Sequence, residues 1–372
     1  MAALRVNKLD DPYAAVADYD VLPEDVLLYH VLLRLPANEV ARLRLVCRSW
    51  RSIISDRVFA RAHLSRHPQV VALHDGSHKV HVIDLTCAGT VLKRLDLVQN
   101  SHGLSTAHDA LCVSQGWGQA YVLNIATNNV MIDTGSITGA EDERREDSTT
   151  PTTLIGRVPS TGEYKVLRFR SLYTMSPSQM CEILTISRST GDCNGNGGGT
   201  WRRMPCPPEI VIQKSMTMVA GVAYFLVNRG YTIKADNIVL FDLAKEEWRP
   251  TKVPGPLSRS GHVLLTRVGD CLAFVHCNYE NSSADVWFLV DVDKPVWTKR
   301  YSMPVEPFGM YPRFYRPLVV LDDGRVAVSI EGARIIKAYD PETRTWTHLV
   351  RLKDYRAISV HHGSLLCAGV HG

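Results

Sequence analysis

Hydrophobic and polar positions divide the chain into three stretches. Residues 1–19 mix charge with alanine and show no period. Residues 20–67 contain no glycine and place apolar side chains at helical spacing, whereas from residue 68 to 372 short apolar runs alternate with Gly, Asn, Asp and Pro. The helical stretch opens at Asp20-Val21-Leu22-Pro23, where Asp20 can cap and Pro23 suits a first turn whose N–H groups have no partner. Glu24 and Asp25 complement the positive helix end. Val26, Leu27, Val31 and Leu32 then recur at helical spacing up to Leu35-Pro36, because the residue before a proline is pushed out of the α region. A second helix is predicted from near Asn38 as one element running through Ile54. It turns Val40, Leu43, Val46 and Cys47 inward and Arg42 and Arg44 outward, and continues through Trp50 and Ile53. Asp56 is placed to cap a last short helix with Phe59, Ala62 and Leu64.

A unit of about 45 residues cannot bury that many Leu and Val side chains on itself. The surplus must face either a partner or the rest of the chain, and periodicity alone leaves both open.

The remaining residues repeat a phrase: an apolar strand ending in Asp, a polar turn, then Trp. Asn237–Asp242 leads to Glu247-Trp248, Val286–Asp291 to Val296-Trp297, and Ile335–Asp340 to Thr345-Trp346. Weaker copies run from Val80 to Leu92, from Tyr121 to Val130 and from Leu184 to Trp201. A hairpin joining the outer two strands of a repeated sheet, with the aromatic between neighbouring sheets, gives this pattern. Inner halves of the unit are read at Thr217–Leu226, Val263–Phe274, Pro317–Val328 and Ile358–Ala368. The last has no outer half after it, and the outer half at Val80–Leu92 has no inner half before it. Joining the two closes a ring of about six blades at a spacing of ~45 residues, which leaves no open sheet edge. The expected fold is α+β multidomain: a tail (1–19), an all-α unit (20–67) and an all-β propeller (68–372) closed by pairing of its N-terminal and C-terminal strands.

Composition changes this picture little. Lys plus Arg total 42 against 38 Asp plus Glu, and a net charge of +4 gives no field that implies nucleic acid or an anionic membrane as partner. The nine cysteines are odd in number and form no C-x-x-C pair, so free thiols in a reducing compartment, cytoplasm or nucleus, are expected. Met1–Asp10 has no apolar signal region, and no apolar run approaches the ~20 residues of a membrane-spanning helix.

Motifs for chemistry are weak. Gly195–Gly199 lacks the Lys-Ser/Thr of a phosphate loop and is read as a flexible turn, and the charged run Glu141–Asp147 as a solvated loop. Neither H-E-x-x-H nor G-x-S-x-G occurs, so no metal, cofactor or nucleophile is expected from His361-His362, His276-Cys277 or the run His74, His78, His81. His108-Asp109 imitates half a triad, but neighbours on a strand point to opposite faces. Arg259, Tyr311, Arg313, Phe314, Tyr315 and Arg316 are candidates for one mouth of the ring, with packed or solvated loop positions as the alternative.

Leu22-Pro23-Glu24-Asp25-Val26-Leu27, Leu33-Arg34-Leu35-Pro36, Arg44–Arg51, Ile53-Ile54 and Phe59 resemble an F-box in order, spacing and residue type. The β part resembles the F-box-associated domains of plant F-box proteins and, more distantly, kelch-like propellers. Asn124-Ile125-Ala126-Thr127 stands where that family has Asn-Pro-x-Thr, Gly162–Val166 is similar to its Tyr-Lys-Val element, and Phe241-Asp242-Leu243 with Glu247-Trp248 to its Phe-Asp element. The resemblance implies the target-recognition subunit of a ubiquitin ligase built on a Skp-type adaptor and a cullin scaffold, with no bond chemistry of its own. It implies that Leu22, Pro23, Val26, Leu27, Val31, Leu35, Pro36, Leu43, Val46, Cys47 and Trp50 bind the adaptor or support the motif, Trp50 with Ile53 and Phe59 being partly core. The target is a protein of unknown identity. Other readings are an interaction scaffold without ubiquitin transfer and a propeller enzyme with a site in the central channel.

Overall fold

The computed structural model describes residues 30–97, 101–115, 119–134, 152–172, 178–186, 201–207, 209–212, 215–229, 232–249, 253–256, 262–278, 280–305 and 314–367. Gly195–Gly199, Glu141–Asp147, Arg259, Tyr311 and Arg313, singled out in the sequence, lie outside these residues.

A 3₁₀ turn over Leu32–Arg34 is followed by three short helices, α1 (Ala37–Leu43), α2 (Arg48–Ser55) and α3 (Arg57–Arg66). The first two stand where the periodicity predicts one continuous helix. Its apolar period runs unbroken through Leu43, Val46 and Trp50, yet Cys47 takes an extended conformation (φ −154°, ψ 170°) and its Sγ accepts the Trp50 N–H at 3.4 Å, restarting the helix. Cysteine is not a usual cap, so sequence gives no warning of this break. Asp56 caps α3 as expected, its carboxylate accepting from Val58 N at 2.5 Å and Phe59 N at 3.3 Å. Leu32, Leu33, Ala37, Val40, Ile54 and Phe59 form the buried centre of this unit.

Among the described residues after Pro68, the strands form six antiparallel sheets arranged as the blades of a propeller. Five are four-stranded; the fourth along the chain has five strands because its inner position is split between Ile210–Val211 and Thr217–Val219. The first blade is built from both ends of the chain: Tyr355–His361 is its inner strand, beside Gln69–His74, Lys79–Asp84 and Val91–Asp96. The closing register pairs Gln69 with His361 and Val71 with Ser359. The C-terminus thus supplies one strand, not the two-strand inner half read at Ile358–Ala368. After that strand the chain forms a 3₁₀ turn over Leu365–Cys367.

Each junction between blades holds its own apolar cluster. Phe169 of the third blade meets Phe225 and Trp248 of the fourth at ring-centroid distances of 6.3 Å or less. Inner strands are tied across blades by hydroxyls rather than by ladders: Ser105 Oγ accepts Ile155 N at 3.1 Å, Thr106 Oγ1 donates to Val360 O at 2.5 Å and Thr266 Oγ1 donates to Pro317 O at 3.2 Å.

The repeated phrase now has a physical cause. The carboxylate of Asp242 accepts from the N–H groups of Ala244 and Lys245, that of Asp291 from Asp293 and Lys294, and that of Asp340 from Glu342 and Thr343. An Asp ending the third strand therefore closes the turn to the fourth. The Trp that follows donates its indole N–H backwards to a proline carbonyl of the preceding blade: Trp248 to Pro205 at 2.7 Å, Trp297 to Pro254 at 2.8 Å and Trp346 to Pro304 at 3.2 Å.

Candidate functional site

The helical unit carries the resemblance to an adaptor-docking motif, and its surface is the first candidate site. Leu22, Pro23, Val26 and Leu27 lie outside the described residues. Val31, Leu35, Pro36, Leu43 and Trp50 are half-buried, Leu35, Leu43 and Trp50 packing against the helical core. Val46 and Cys47 are not inward-facing as the unbroken helix predicts. They stand in the turn between α1 and α2, with Val46 61% and its neighbour Leu45 81% exposed. Leu45 lies within the F-box-like run Arg44–Arg51 but not among the residues expected to bind the adaptor; its exposure follows from the helix break that sequence does not reveal. Val58, at the start of α3, is 77% exposed. Arg44 steadies the turn by donating to Ser55 Oγ at 2.9 Å.

This unit is seated on the ring at a defined place. Leu366, at the end of the chain, is buried in the helical core, and Leu92 and Leu365 pack against it. The ring of His67, just past α3, stacks on His63 with centroids 4.6 Å apart. Its Nε2 lies 3.2 Å from Leu33 O and its Nδ1 lies 3.2 Å from both Asp84 Oδ2 and Thr86 Oγ1. Asp84 and Thr86 belong to the turn between the third and fourth strands of the first blade. Asp322, in the turn between the first two strands of the last blade, accepts from Ser65 Oγ and pairs with Arg66. Both turns lie on one face of the ring, so the helices occupy that face.

Burial opposes the charge of Asp84, but hydrogen bonds from His67 and Thr86 outweigh it and hold the carboxyl below its ordinary value. Burial, and the carboxylate of Asp84, push the Cys87 thiol up. Among the described residues, His67, Asp84 and Cys87 are one group of metal-type ligands whose donor atoms lie within 4.8 Å of one another. No motif marks them, because they come from a helix end and a hairpin turn.

The ring encloses a central cavity of about 520 Å³ lined by all six inner strands. Hydroxyls of Ser105, Thr106, Thr153, Thr217, Thr266 and Ser359 line it. Of the mouth candidates, Arg316 lines the cavity and pairs with Glu331 at 2.7 Å, whereas Tyr315 is fully buried between the last two blades and Phe314 packs against the same cluster. Tyr315 is core because it starts an inner strand on its inter-blade side.

The elements similar to plant F-box-associated domains have structural roles. Asp109 accepts from the Tyr164 hydroxyl and from Asn124 Nδ2, the latter at 2.8 Å, so Asn124 and Tyr164 join the second and third blades. Lys165 reaches onward to the fourth, donating to Leu243 O at 2.9 Å and pairing with Glu246 at 2.7 Å. His108 and Asp109 form a hairpin turn rather than a strand, and do approach, at 3.4 Å. Burial raises the Asp109 carboxyl, but hydrogen bonds from His108 and Tyr164 prevail and hold it well below the carboxylate range. An acid so committed is a joint between blades.

The cysteines described here are free. Burial pushes the thiols of Cys112 and Cys181 to about 12 and that of Cys277 to about 11, which keeps them protonated and unreactive. No described helix is long and apolar enough to cross a membrane.

Comparison with known proteins agrees with this geometry. Residues 90–331 match the F-box associated beta propeller domain and residues 20–61 the F-box domain. The F-box protein At3g07870 of Arabidopsis thaliana is 26% identical, covering 92% of this chain and 91% of its own length. The F-box protein CPR1 of the same plant is 23% identical over 90% of this chain and 85% of its own. Among solved structures, a protein of unknown function from Bacteroides caccae superposes with a TM-score of 0.46 at 9% identity, over 79% of this chain and 99% of that one. With an F-box seated on one face of a six-bladed ring and the propeller match alone spanning more than half of its length, the chain belongs to the F-box proteins with an F-box-associated β-propeller domain.

Proposed function

We propose that this protein is the target-selecting subunit of a Skp–cullin–F-box ubiquitin ligase, acting in the cytoplasm or nucleus. The F-box implies a Skp-type adaptor, and the observation that carries the reading is the apolar turn of Leu45 and Val46, 81% and 61% exposed in a unit that otherwise buries its leucines. A pair of large apolar side chains held outward by a rigid turn suits a partner's apolar surface. Leu22, Pro23, Val26, Leu27, Val31, Leu35, Pro36, Leu43, Cys47 and Trp50 supply the rest of that surface or its support. The adaptor connects to a cullin, and the ring holds a target protein on the face away from the helices. The protein itself makes and breaks no bonds; it raises the target's effective concentration beside the ubiquitin carrier.

The test is capture of a Skp-type adaptor and cullin by the full chain, beside a Leu45→Asp, Val46→Asp double variant and a Leu22→Ala, Pro23→Ala double variant. Loss of adaptor binding by more than tenfold in both, with unchanged circular dichroism, is expected. Deleting residues 1–67 is the poorer control, since it uncovers Leu365 and Leu366. Failure of the intact chain to bind would return the helices to a structural cap on the ring.

A further inference from the structure

We propose that His67, Asp84 and Cys87 form a binding site for a zinc-type divalent cation at the seam between the helical unit and the first blade. Asn124, Asp84, Asp242, Asp291 and Asp340 all end the third strand of a blade and cap the following turn with one side-chain oxygen. Three residues on, the blades place Thr127, Cys87, Lys245, Lys294 and Thr343. The first blade is the one that puts a thiol there. It is also the one whose carboxylate is fully buried, under the end of α3, while its counterparts keep contact with solvent.

Donor accounting sharpens the point. Asp84 Oδ1 is occupied by the turn: it accepts Thr86 N at 2.8 Å, the Thr86 hydroxyl at 2.7 Å and Cys87 N at 3.3 Å. Oδ2 is left to face His67 Nδ1. On the other side of that ring, Nε2 lies 3.2 Å from the Leu33 carbonyl, which can only accept, so Nε2 carries a proton. The Thr86 hydrogen already points to Asp84, so Nδ1 faces two oxygens with no donor between them. A metal ion held between Nδ1 and Oδ2 fits that place, as does a hydrogen shared by the two atoms. The thiol of Cys87, within 4.8 Å of both other donors, is needed by a metal and not by a proton.

One imidazole nitrogen, one carboxylate and one thiolate select zinc or a similar borderline ion over magnesium or calcium, and water completes a tetrahedron. The bond from Nε2 to Leu33 O and the three bonds to Asp84 Oδ1 are the outer contacts that orient metal ligands. On binding, the Cys87 S–H bond breaks, its proton leaves to solvent and the sulfur electron pair goes to the cation. The result is a clamp between the last residue of the F-box helices and the ring, fixing the angle between the two.

Zinc stoichiometry is measured on the full chain after chelator treatment and return of zinc, with cobalt(II) as a spectroscopic substitute. One equivalent is expected, with the intense visible bands of tetrahedral cobalt and a thiolate charge-transfer band in the near ultraviolet. Cys87→Ala abolishes the charge-transfer band and weakens zinc by at least about tenfold. Asp84→Asn weakens it similarly while keeping the turn, as Asn124 keeps its own. Cys271→Ala, which removes an exposed thiol elsewhere on the ring, changes neither. Absence of stoichiometric zinc in the unaltered chain overturns the proposal and leaves His67 bound to Asp84 by a proton; full binding in both Cys87→Ala and Asp84→Asn overturns it by placing the metal elsewhere.

Discussion

Between residues 44 and 58 the F-box leaves Leu45, Val46 and Val58 largely in solvent, whereas the described part of the ring, several times larger, exposes only Val130, Val290, Val296 and Val320 among its large apolar side chains. The F-box exposures crowd into the turn between α1 and α2 and the start of α3, while those of the ring are scattered over three blades. A closed ring has no such surplus: within each blade every strand edge but the innermost and the outermost is paired, and each blade buries both faces against its neighbours. Three short helices cannot do the same, so their unit borrows Leu366 from the far end of the chain for its core and leaves the rest outward. Closed packing and exposed apolar surface thus fall in different regions, and the two can be perturbed separately.

The largest effect belongs to the ring. Phe225 is fully buried between the third and fourth blades, its ring 5.1 Å from Phe169 and 5.3 Å from Trp248. Phe225→Ala is expected to cost about 3–5 kcal/mol in denaturant unfolding, because a cavity opens in a closed assembly that cannot collapse around it. The loss should appear as one transition for all blades; separate melting of the third and fourth blades would break the description of the ring as one cooperative body.

Leu366→Ala probes the borrowed core. About 2–4 kcal/mol is expected, and hydrogen exchange should localise it to residues 37–66, with the blades protected as before. A variant that loosened the first blade equally would show that F-box and ring are one unit rather than two.

How much of this contrast is legible in sequence depends on whether its cause is local. The Asp-to-Trp phrase is visible because an Asp cap acts over three residues, and its three clear and three weaker copies give about six blades without knowledge of their contacts. The helix break at Cys47 is invisible, since Leu43, Val46 and Trp50 keep a helical period through it and a sulfur cap leaves no recognisable signature. Closure of the ring is legible because each terminus carries an incomplete half of the unit, but the division is misread: Gln69–His74, not a second C-terminal strand, stands beside Tyr355–His361. The grouping of His67, Asp84 and Cys87 is hidden because the helix end and the hairpin turn that supply it carry no motif.

Acid provides a smaller perturbation, and it acts on the ring's closure. His361 ends the closing strand and is buried; burial lowers its pKa from 6.5 to about 4. The unfolded chain therefore binds a proton between pH 6.5 and 4 that the folded chain does not, so this part of the stability is present above 6.5 and is lost as pH falls through that window. The loss is on the order of 2–3 kcal/mol, and His361→Gln should flatten the profile over those pH values by about one proton. An unchanged slope would mean that the closing strand does not control the acid limb.

The smallest expected effect tests whether the repeated tryptophans are equivalent. Trp297→Phe keeps an aromatic ring beside Phe274 but removes the N–H that reaches Pro254, and should cost about 0.5–1.5 kcal/mol. Trp248 and Trp346 make the same backward bond, and the three sites are far enough apart for their costs to add. Trp201 of the third blade is different: its buried indole nitrogen finds no hydrogen-bond partner among the described residues, and the Arg168 guanidinium lies over its ring at 4.1 Å instead. Trp201→Phe loses no N–H bond and relieves an unsatisfied donor, while a smaller ring weakens the cation–π contact. Its cost should fall below that of the other three, and a triple Trp248, Trp297, Trp346 variant should approach their sum. Equal costs at all four positions would locate the stabilisation in ring packing alone and remove the backward hydrogen bond as the reason the blade pattern keeps its tryptophan.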